Sequence, residues 1–337
     1  MAQSITHLQK IQIGEESTKG TLVPATQILR GDFTVVEEQD FYRSPYPAGV
    51  RATVGGAGVI LRKGVRLSAR TDLTFEEILW VLHAGIKGNI TPSVANTTEN
   101  TWAFAPELTT GIPTLDAATL EWIEADGSTN HIAREAGYGL VSQFGISWGD
   151  TRNAELTYEM FARASQTSTP TGSLAAYTGR EVVKSALGSV YLDTSYAGMG
   201  GTQLTGTVRS GTFACQTGIA PDYTTDGRSD LDFVQHKVGG PLTATLNLVM
   251  ELNATGAARV ANFRANDLVY VRVKFTGSTI ASNPKVVQVD GAYRFSGPPS
   301  YSNDGSGRLV SLPLEAVYDT TGTKMIEFSV CNALTTI

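Results

Sequence analysis

The sequence predicts a mainly β protein built from two tandem antiparallel β-sandwich or barrel-like domains, each with a short flanking α-helix. Three observations support this fold class. Only 17% of the 337 residues are charged and 35 are glycine, a composition that suits turns and pleated strands more than helices. Apolar and polar residues alternate with period two in several segments. Segments of the first half are also echoed in the second half, about 180 residues later.

The alternation predicts half-buried strands with one face in water. It is clearest over Leu242–Leu252 and recurs over Val269–Phe275 and Leu156–Met160. Two further apolar segments, residues 120–123 and 131–133, flank the dipeptide Asp126-Gly127. That dipeptide tolerates the positive φ angles of a tight turn, so it predicts a hairpin.

One helix has clear boundary signals. Thr74 can cap it and Glu77 can complete a capping box, while Leu73 can pack on Ile78 as a hydrophobic staple. Gly85 suits the C-terminal end of the helix. A second, shorter helix is predicted over residues 255–264.

The echo between the halves predicts a tandem duplication. Gly31–Val35 resembles Gly211–Cys215, and Ile11–Gly14 resembles Val190–Asp193. The offset later falls to about 155, and the matches there are Gly137-Tyr138 with Gly291–Tyr293 and Leu156–Glu159 with Leu312–Glu315. An insertion within residues 89–118 of the first copy accounts for the change. We therefore expect a first domain over residues 1–170, a linker at 164–173, and a second domain over 171–337 that ends in an additional strand.

Charge and composition exclude several classes of protein. There are 26 basic and 32 acidic residues, a net charge of -6, and no basic run, so a protein that grips nucleic-acid phosphates is disfavoured. The most apolar stretch, Ile78–Ile86, is far shorter than the roughly 20 residues of a membrane span. The N-terminus lacks the pattern of a cleaved signal. Cys215 and Cys331 are of the kind that stays reduced, so folding in the cytoplasm is expected.

One motif suggests an enzyme. Gly145–Gly149 fits G-x-S-x-G, in which a serine nucleophile sits between a strand and a helix. A triad could be assembled from Ser147, Asp230 and His236. Turn residues follow Gly149 in place of a helix, so we interpret Ser147 as a turn residue and predict no catalytic site.

No metal or cofactor site is predicted. The acidic loop at residues 222–232 only faintly resembles a calcium loop, because Thr224 and Phe233 stand where carboxylates are expected. The four histidines lack metal-ligand spacing. Gly55–Gly58 lacks the lysine of a phosphate-binding loop. We expect solvated turns at the acidic loop and at Gly55–Gly58.

Several segments together resemble the major tail tube proteins of long-tailed bacteriophages. They include the strand and turn at Gly188–Asp193 with Gly198 and Gly200–Thr202, and the Gly-x-Phe strand at Gly211. They also include the strand Leu312–Asp319 and the final strand Lys324–Val330. The resemblance covers nearly the whole chain.

The resemblance implies a structural protein of the virion tail, assembled in the host cytoplasm. Such proteins form rings, usually hexamers, that stack into a hollow tube around a tape-measure protein and later pass DNA without specific binding. Because this chain is predicted to carry two such domains, the resemblance implies three chains per ring with pseudo-sixfold symmetry. No enzyme activity is implied. Other β-rich virion or carbohydrate-binding proteins remain an alternative, as does a serine hydrolase centred on Ser147.

Two Pro- and Gly-rich loops, residues 42–58 and 220–240, are predicted to project from the two copies. Aromatic side chains on them, together with the final strand, are the expected ring-to-ring contacts. These candidates are Tyr42, Tyr46, Tyr223, Met325 and Phe328.

Overall fold

The computed structural model describes most of the chain. The described residues are 8–43, 58–96, 98–109, 111–125, 128–149, 151–174, 179–225, 228–305 and 307–337. Tyr46, the dipeptide Asp126-Gly127 and most of the Gly55–Gly58 stretch therefore lie outside the description. The fold is mainly β with two helices, as the fold-class prediction stated.

In the described residues, the first half contains ten strands and one α-helix. They are β1 (Lys10–Glu15), β2 (Gln27–Leu29), β3 (Asp32–Arg43), β4 (Gly58–Asp72), α1 (Ile78–Gly85), β5 (Ser93–Asn96), β6 (Glu99–Phe104), β7 (Ala118–Ala125), β8 (Asn130–Gly149), β9 (Glu155–Ala162) and β10 (Gln166–Thr167).

The second half contains ten strands and one helix as well. They are β11 (Gly188–Asp193), β12 (Val208–Gln216), β13 (Ile219–Asp222), β14 (Gln235–Val238), β15 (Thr243–Glu251), α2 (Ala254–Ala265), β16 (Val269–Ile280), β17 (Asn283–Phe295), β18 (Ser300–Asp304), β19 (Gly307–Ala316) and β20 (Ile326–Asn332).

The two halves share one strand order. In the first half, hydrogen bonds join the strands in the order β1-β7-β8-β9-β4-β3. In the second half the order is β11-β16-β17-β19-β15-β12. The helix follows β4 in one half and β15 in the other. Superposition of residues 1–170 on 171–337 remains a prediction, but each strand of the first series has a counterpart in the second.

The register of these strands identifies equivalent residues. Phe33 pairs with Ala69, which pairs with Tyr158. Phe213 pairs with Leu246, which pairs with Leu314. Two of the sequence echoes, Phe33 with Phe213 and Tyr158 with Leu314, thus hold the same places in the sheet.

One echo is displaced. Tyr293 lies opposite Ala316, and the corresponding place in the first half is held by Val141, opposite Met160. Tyr138 is therefore not the counterpart of Tyr293. The register of β8 against β9 shifts between Val141 and Gln143, and such a local irregularity cannot be read from residue types alone.

A capping side chain lies at or shortly before the start of each helix. The Glu77 N–H donates to the Thr74 hydroxyl over 3.0 Å, and Leu73 and Ile78 are fully buried. Helix α1 itself starts later than predicted, at Ile78, because residues 75–77 form a turn. Asn253 caps α2 by accepting from the Gly256 N–H. Within the described residues, neither helix is long and apolar enough to cross a bilayer.

Candidate assembly surface

The two halves are joined by strand pairing inside the chain. Strand β12 pairs antiparallel with β8, with Thr212 opposite Ser147 and Gly211 opposite Trp148. A side chain at Gly211 would overlap the indole of Trp148, so glycine is required for the indole to lie against this strand. We call this pairing the internal joint. It makes the sheet continuous across the predicted domain boundary.

Aromatic rings fill the core beneath the internal joint. The rings of Phe144 in β8, Phe213 in β12 and Phe328 in β20 lie 5.6 to 6.1 Å apart, centroid to centroid. All three side chains are buried. Separations of this size suit tilted and edge-to-face aromatic pairs. The two halves therefore share one core.

The final strand forms a second connection between the halves. Strand β20 lies between β17 of the second half and β6, which belongs to the insertion of the first half. The buried Asn332 accepts from the Trp102 indole N–H over 3.2 Å and donates to the Phe75 carbonyl over 2.7 Å. The C-terminal strand is thus part of the fold of its own chain.

A buried ionic cluster links the halves near the start of α1. The Lys285 ammonium donates to Glu76 over 2.6 Å and lies 3.5 Å from Glu181. Arg180 forms an ion pair with Glu77. Burial raises the pKa of Glu77 to about 6, although Arg180 opposes the shift. The cluster joins β17, α1 and the segment between the two halves.

Residues 222–225 and 228–236, which we call the junction segment, pack from the second half onto the first. Phe233 makes edge contacts with the rings of Tyr138 and Phe161. Arg163 donates to the Phe233 carbonyl over 3.0 Å. The Lys63 N–H donates to the Leu231 carbonyl over 2.8 Å. The segment therefore covers the start of the buried part of β4 and the end of β9.

Several strands have a neighbour on only one side in the described part of the chain, and two of these open edges are related to the internal joint. Strand β3 pairs only with β4, and β18 pairs only with β19. Strand β3 is the counterpart of β12. Residues of β17 and β18 can be matched to residues of β8 because they pair with β19, the counterpart of β9. Phe295 lies opposite Leu314 and Ser300 lies opposite Ser311. Phe295 therefore corresponds to Phe144, and Ser300 corresponds to Ser147. The open edges are therefore the counterparts of the two strands that form the internal joint.

Side chains at the open edges are more exposed than their counterparts at the internal joint, where a partner strand covers them. Trp148 is 5% exposed, whereas its counterpart Tyr301 is 47% exposed. Phe213 is 2% exposed, whereas Phe33 is only partly buried. Burial alternates over Asp32–Val36 of β3 as it does along β12, at a lower level, and residues 37–43 are all exposed. Unpaired strand edges of this kind invite pairing with another chain.

The outer part of the β3–β4 hairpin carries exposed apolar side chains. We call residues 37–43 and 58–63 the arm. Phe41, Tyr42, Val59 and Leu61 are 44 to 59% exposed. Phe41 pairs with Ile60, and Tyr42 pairs with Val59. Apolar side chains clustered on a surface in this way mark interaction sites.

The structure separates the five expected ring-to-ring residues. Tyr42 is exposed on the arm, and Tyr46 is outside the described residues. Tyr223 lies in the junction segment, with the Arg62 guanidinium 5.3 Å from its ring centroid. Met325 and Phe328 are buried within the chain. Phe328 has no surface to offer another ring, so it is not retained as a contact residue.

Ser147 lies in a strand, which corrects its interpretation as a turn residue. It pairs with Glu155 on one side and with Thr212 on the other. Residues 151–153 then turn into β9, with no helix. The ring nitrogens of His236 lie 3.2 Å from the Tyr138 hydroxyl and 3.2 Å from the Pro113 carbonyl. The geometry required for a G-x-S-x-G nucleophile is therefore not present at this serine.

The acidic loop is engaged in ion pairs. Asp222 accepts from Lys237 over 3.0 Å, and Asp232 accepts from Arg228 over 2.7 Å. Hydrogen bonds from Lys237 and Gln235 lower the pKa of Asp222. Among the described residues, no group of three or more His, Cys, Asp or Glu side chains could hold a metal ion.

The tryptophans do not form a carbohydrate-stacking platform. Trp80, Trp102, Trp122 and Trp148 are all buried, with at most 5% of each exposed. The internal joint and Tyr301 were missed from the sequence. The Phe144-Ile146-Trp148 alternation signals a buried strand, and the Gly-x-Phe segment at Gly211 predicts another about 60 residues later, but nothing in either segment identifies the two as partners.

The comparisons with known proteins identify no relative. No family model matches the chain, and no curated protein matches it either.

Proposed function

We propose that this chain is a structural protein that assembles with copies of itself into rings, which stack as the tube of a bacteriophage tail. The observation that carries the proposal is the pair of open edges. One chain joins its two halves by pairing β12 with β8, and among the described residues the counterparts β3 and β18 each have a neighbouring strand on one side only.

Pairing of β3 with β17–β18 of the next copy would repeat the internal joint between chains. The two edges differ, so the contact is head-to-tail, and such contacts generate a closed ring or an open helix. Each chain supplies two equivalent halves. Three chains then give a ring with pseudo-sixfold symmetry, the stoichiometry expected from the resemblance to tail tube proteins.

Register in the internal joint defines the contact. Since Gly211 lies opposite Trp148 and Thr212 opposite Ser147, Gly31 should lie opposite Tyr301 of the next copy and Asp32 opposite Ser300. Tyr301 would then lose the exposure that it has in the single chain. A tube that passes DNA needs a lining that does not bind phosphates, and the overall charge of -6 permits such a lining.

Electron microscopy and light scattering of the purified protein test the proposal. We expect rings or tubes, with a mass that corresponds to a multiple of three chains. Tyr301→Asp should remain monomeric, because it places a second carboxylate beside Asp32 of the next copy. Val94→Asp, on an exposed side chain of β5, is the control and should assemble like the parent.

A parent protein that stays monomeric at all concentrations would refute self-assembly. If the parent forms rings and Tyr301→Asp forms them equally well, with an unchanged circular dichroism spectrum, self-assembly stands but pairing through β3 and β18 is wrong.

A further inference from the structure

A groove in the second half is lined by both halves of the chain. Its volume is about 370 Å³, and its wall includes Leu108 from the first half and Val238, Pro241, Leu242 and Tyr318 from the second. Leu108, Val238 and Tyr318 are 38 to 50% exposed. The groove is therefore an apolar surface open to solvent.

The corresponding place in the first half is already occupied. When the register of β4–β9 and β15–β19 is continued two residues beyond the ends of β15 and β19, Gly64 corresponds to Pro241 and Ala162 to Tyr318. Around Gly64 and Ala162, the junction segment of the second half covers the surface. The Lys63 N–H bonds to Leu231, and Arg163 bonds to Phe233.

The arm in the first half and the junction segment in the second half occupy equivalent positions in the order of elements. Strand β12 forms the internal joint and leads into the junction segment before β15. Strand β3, its counterpart, leads into the arm before the buried part of β4. Each therefore continues from a strand edge of the same kind.

We infer that the arm of one copy docks in the groove of the next copy, as the junction segment docks on the first half of its own chain. This inference rests on the proposed head-to-tail assembly. The occupant is a second copy, because β3 pairing would carry the arm of that copy toward the end of β19. Tyr42, Val59 and Leu61 would there meet Leu108, Val238 and Tyr318.

The inference assigns Tyr42 to a contact within a ring, in place of the ring-to-ring contact expected from the sequence. Both surfaces carry large apolar side chains that are exposed in the single chain. Their mutual burial removes both from water, which favours association in proportion to the apolar area covered.

Charge substitutions on the two surfaces test the docking. Leu61→Glu in the arm and Tyr318→Glu in the groove should each raise the concentration at which rings form by about tenfold or more, since each introduces a charge into an apolar contact. Val94→Glu is the matched control, because it adds the same charge at a side chain that is 64% exposed. All three substitutions are at exposed positions, so the monomer should keep its circular dichroism spectrum.

Cross-linking provides a second measurement. Cys331→Ser removes the partly exposed thiol, while Cys215 is buried and its thiol pKa is raised to about 12, so it does not react with maleimides. In that background, Leu61→Cys and Tyr318→Cys proteins are mixed and treated with a short bismaleimide. We expect a covalent dimer from the mixture, and Val94→Cys mixed with Tyr318→Cys should give none.

The outcomes separate the two ideas. A parent that never associates refutes the proposed assembly. A parent that forms rings, with Leu61→Glu and Tyr318→Glu variants that form them at the same concentration and no dimer from the mixed cysteine pair, overturns the docking of the arm alone.

Discussion

Phe328→Ala tests whether the two halves share one core. Its side chain is fully buried, and its ring contacts Phe144 of the first half and Phe213 of the second, each at 5.6 Å between centroids. Truncation of a buried phenylalanine to alanine typically costs about 3–5 kcal/mol. Loss of the two ring pairs accounts for about 0.5–1.5 kcal/mol each within that total. We expect a loss near 4 kcal/mol.

The free energy of unfolding is measured by urea titration with tryptophan fluorescence, at concentrations where the chain is monomeric. The ring cluster of Phe144, Phe213 and Phe328 belongs to both halves. The parent and the variant should therefore each unfold in one transition, and the urea midpoint of the variant should be lower. Phe41→Ala is the matched control, since Phe41 is 59% exposed and its loss should change stability by less than about 0.5 kcal/mol.

Two results would contradict this reasoning. One is a loss below about 1 kcal/mol for Phe328→Ala, which cavity formation in a packed core does not allow. The other is two separate transitions of which only one responds to the substitution, because the halves would then unfold independently.

Three further substitutions test particular contacts. Burial raises the pKa of Glu77 to about 6. The folded protein therefore holds this proton more tightly than the unfolded chain, which stabilises it fully below pH 4.5. As the pH rises through 6, the free energy of unfolding should fall by about 2 kcal/mol. Glu77→Gln should abolish that part of the pH dependence in urea titrations at pH 4.5 and 7. Gly211→Ala should destabilise by about 1–3 kcal/mol, because its Cβ overlaps Trp148; a neutral thermal melt would contradict this. Ser147→Ala should change stability by less than about 0.5 kcal/mol, and a fluorophosphonate that labels Ser147 in the parent would show that it is a nucleophile after all.

Local structure could be predicted from the sequence where one segment contains all the information. The cap at Thr74 and the strand at Leu242–Leu252 depend on neighbouring residues, and the structure contains both, with shifted ends. Ser147 shows the limit of this approach. Gly149 and the residues that follow it indicated a turn. Pairing of β8 with β9 on one side and β12 on the other keeps Ser147 in the strand.

Long-range pairing could not be predicted. Whether the final strand closes its own chain or projects from it depends on β6 and β17, which lie far away in the sequence. Their pairing buries Phe328. Periodicity identifies an apolar face, but it does not identify what covers that face. The candidate site changed for this reason, from two loops and the final strand to strand edges and the arm.

The difference between the internal joint and the open edges explains how one fold can serve both a permanent and a conditional contact. At the internal joint, β8 is continuous and has Phe144 and Trp148 facing β12. At the open edge, the Gly297-Pro298-Pro299 interruption separates β17 from β18. Proline has no N–H to donate, and proteins use it to protect exposed strand edges from unwanted pairing. The open edge is therefore the weaker of the two. On the proposed function, a chain that folds alone through its strong joint and pairs with copies through its weak one would remain soluble until many weak contacts act together in a ring.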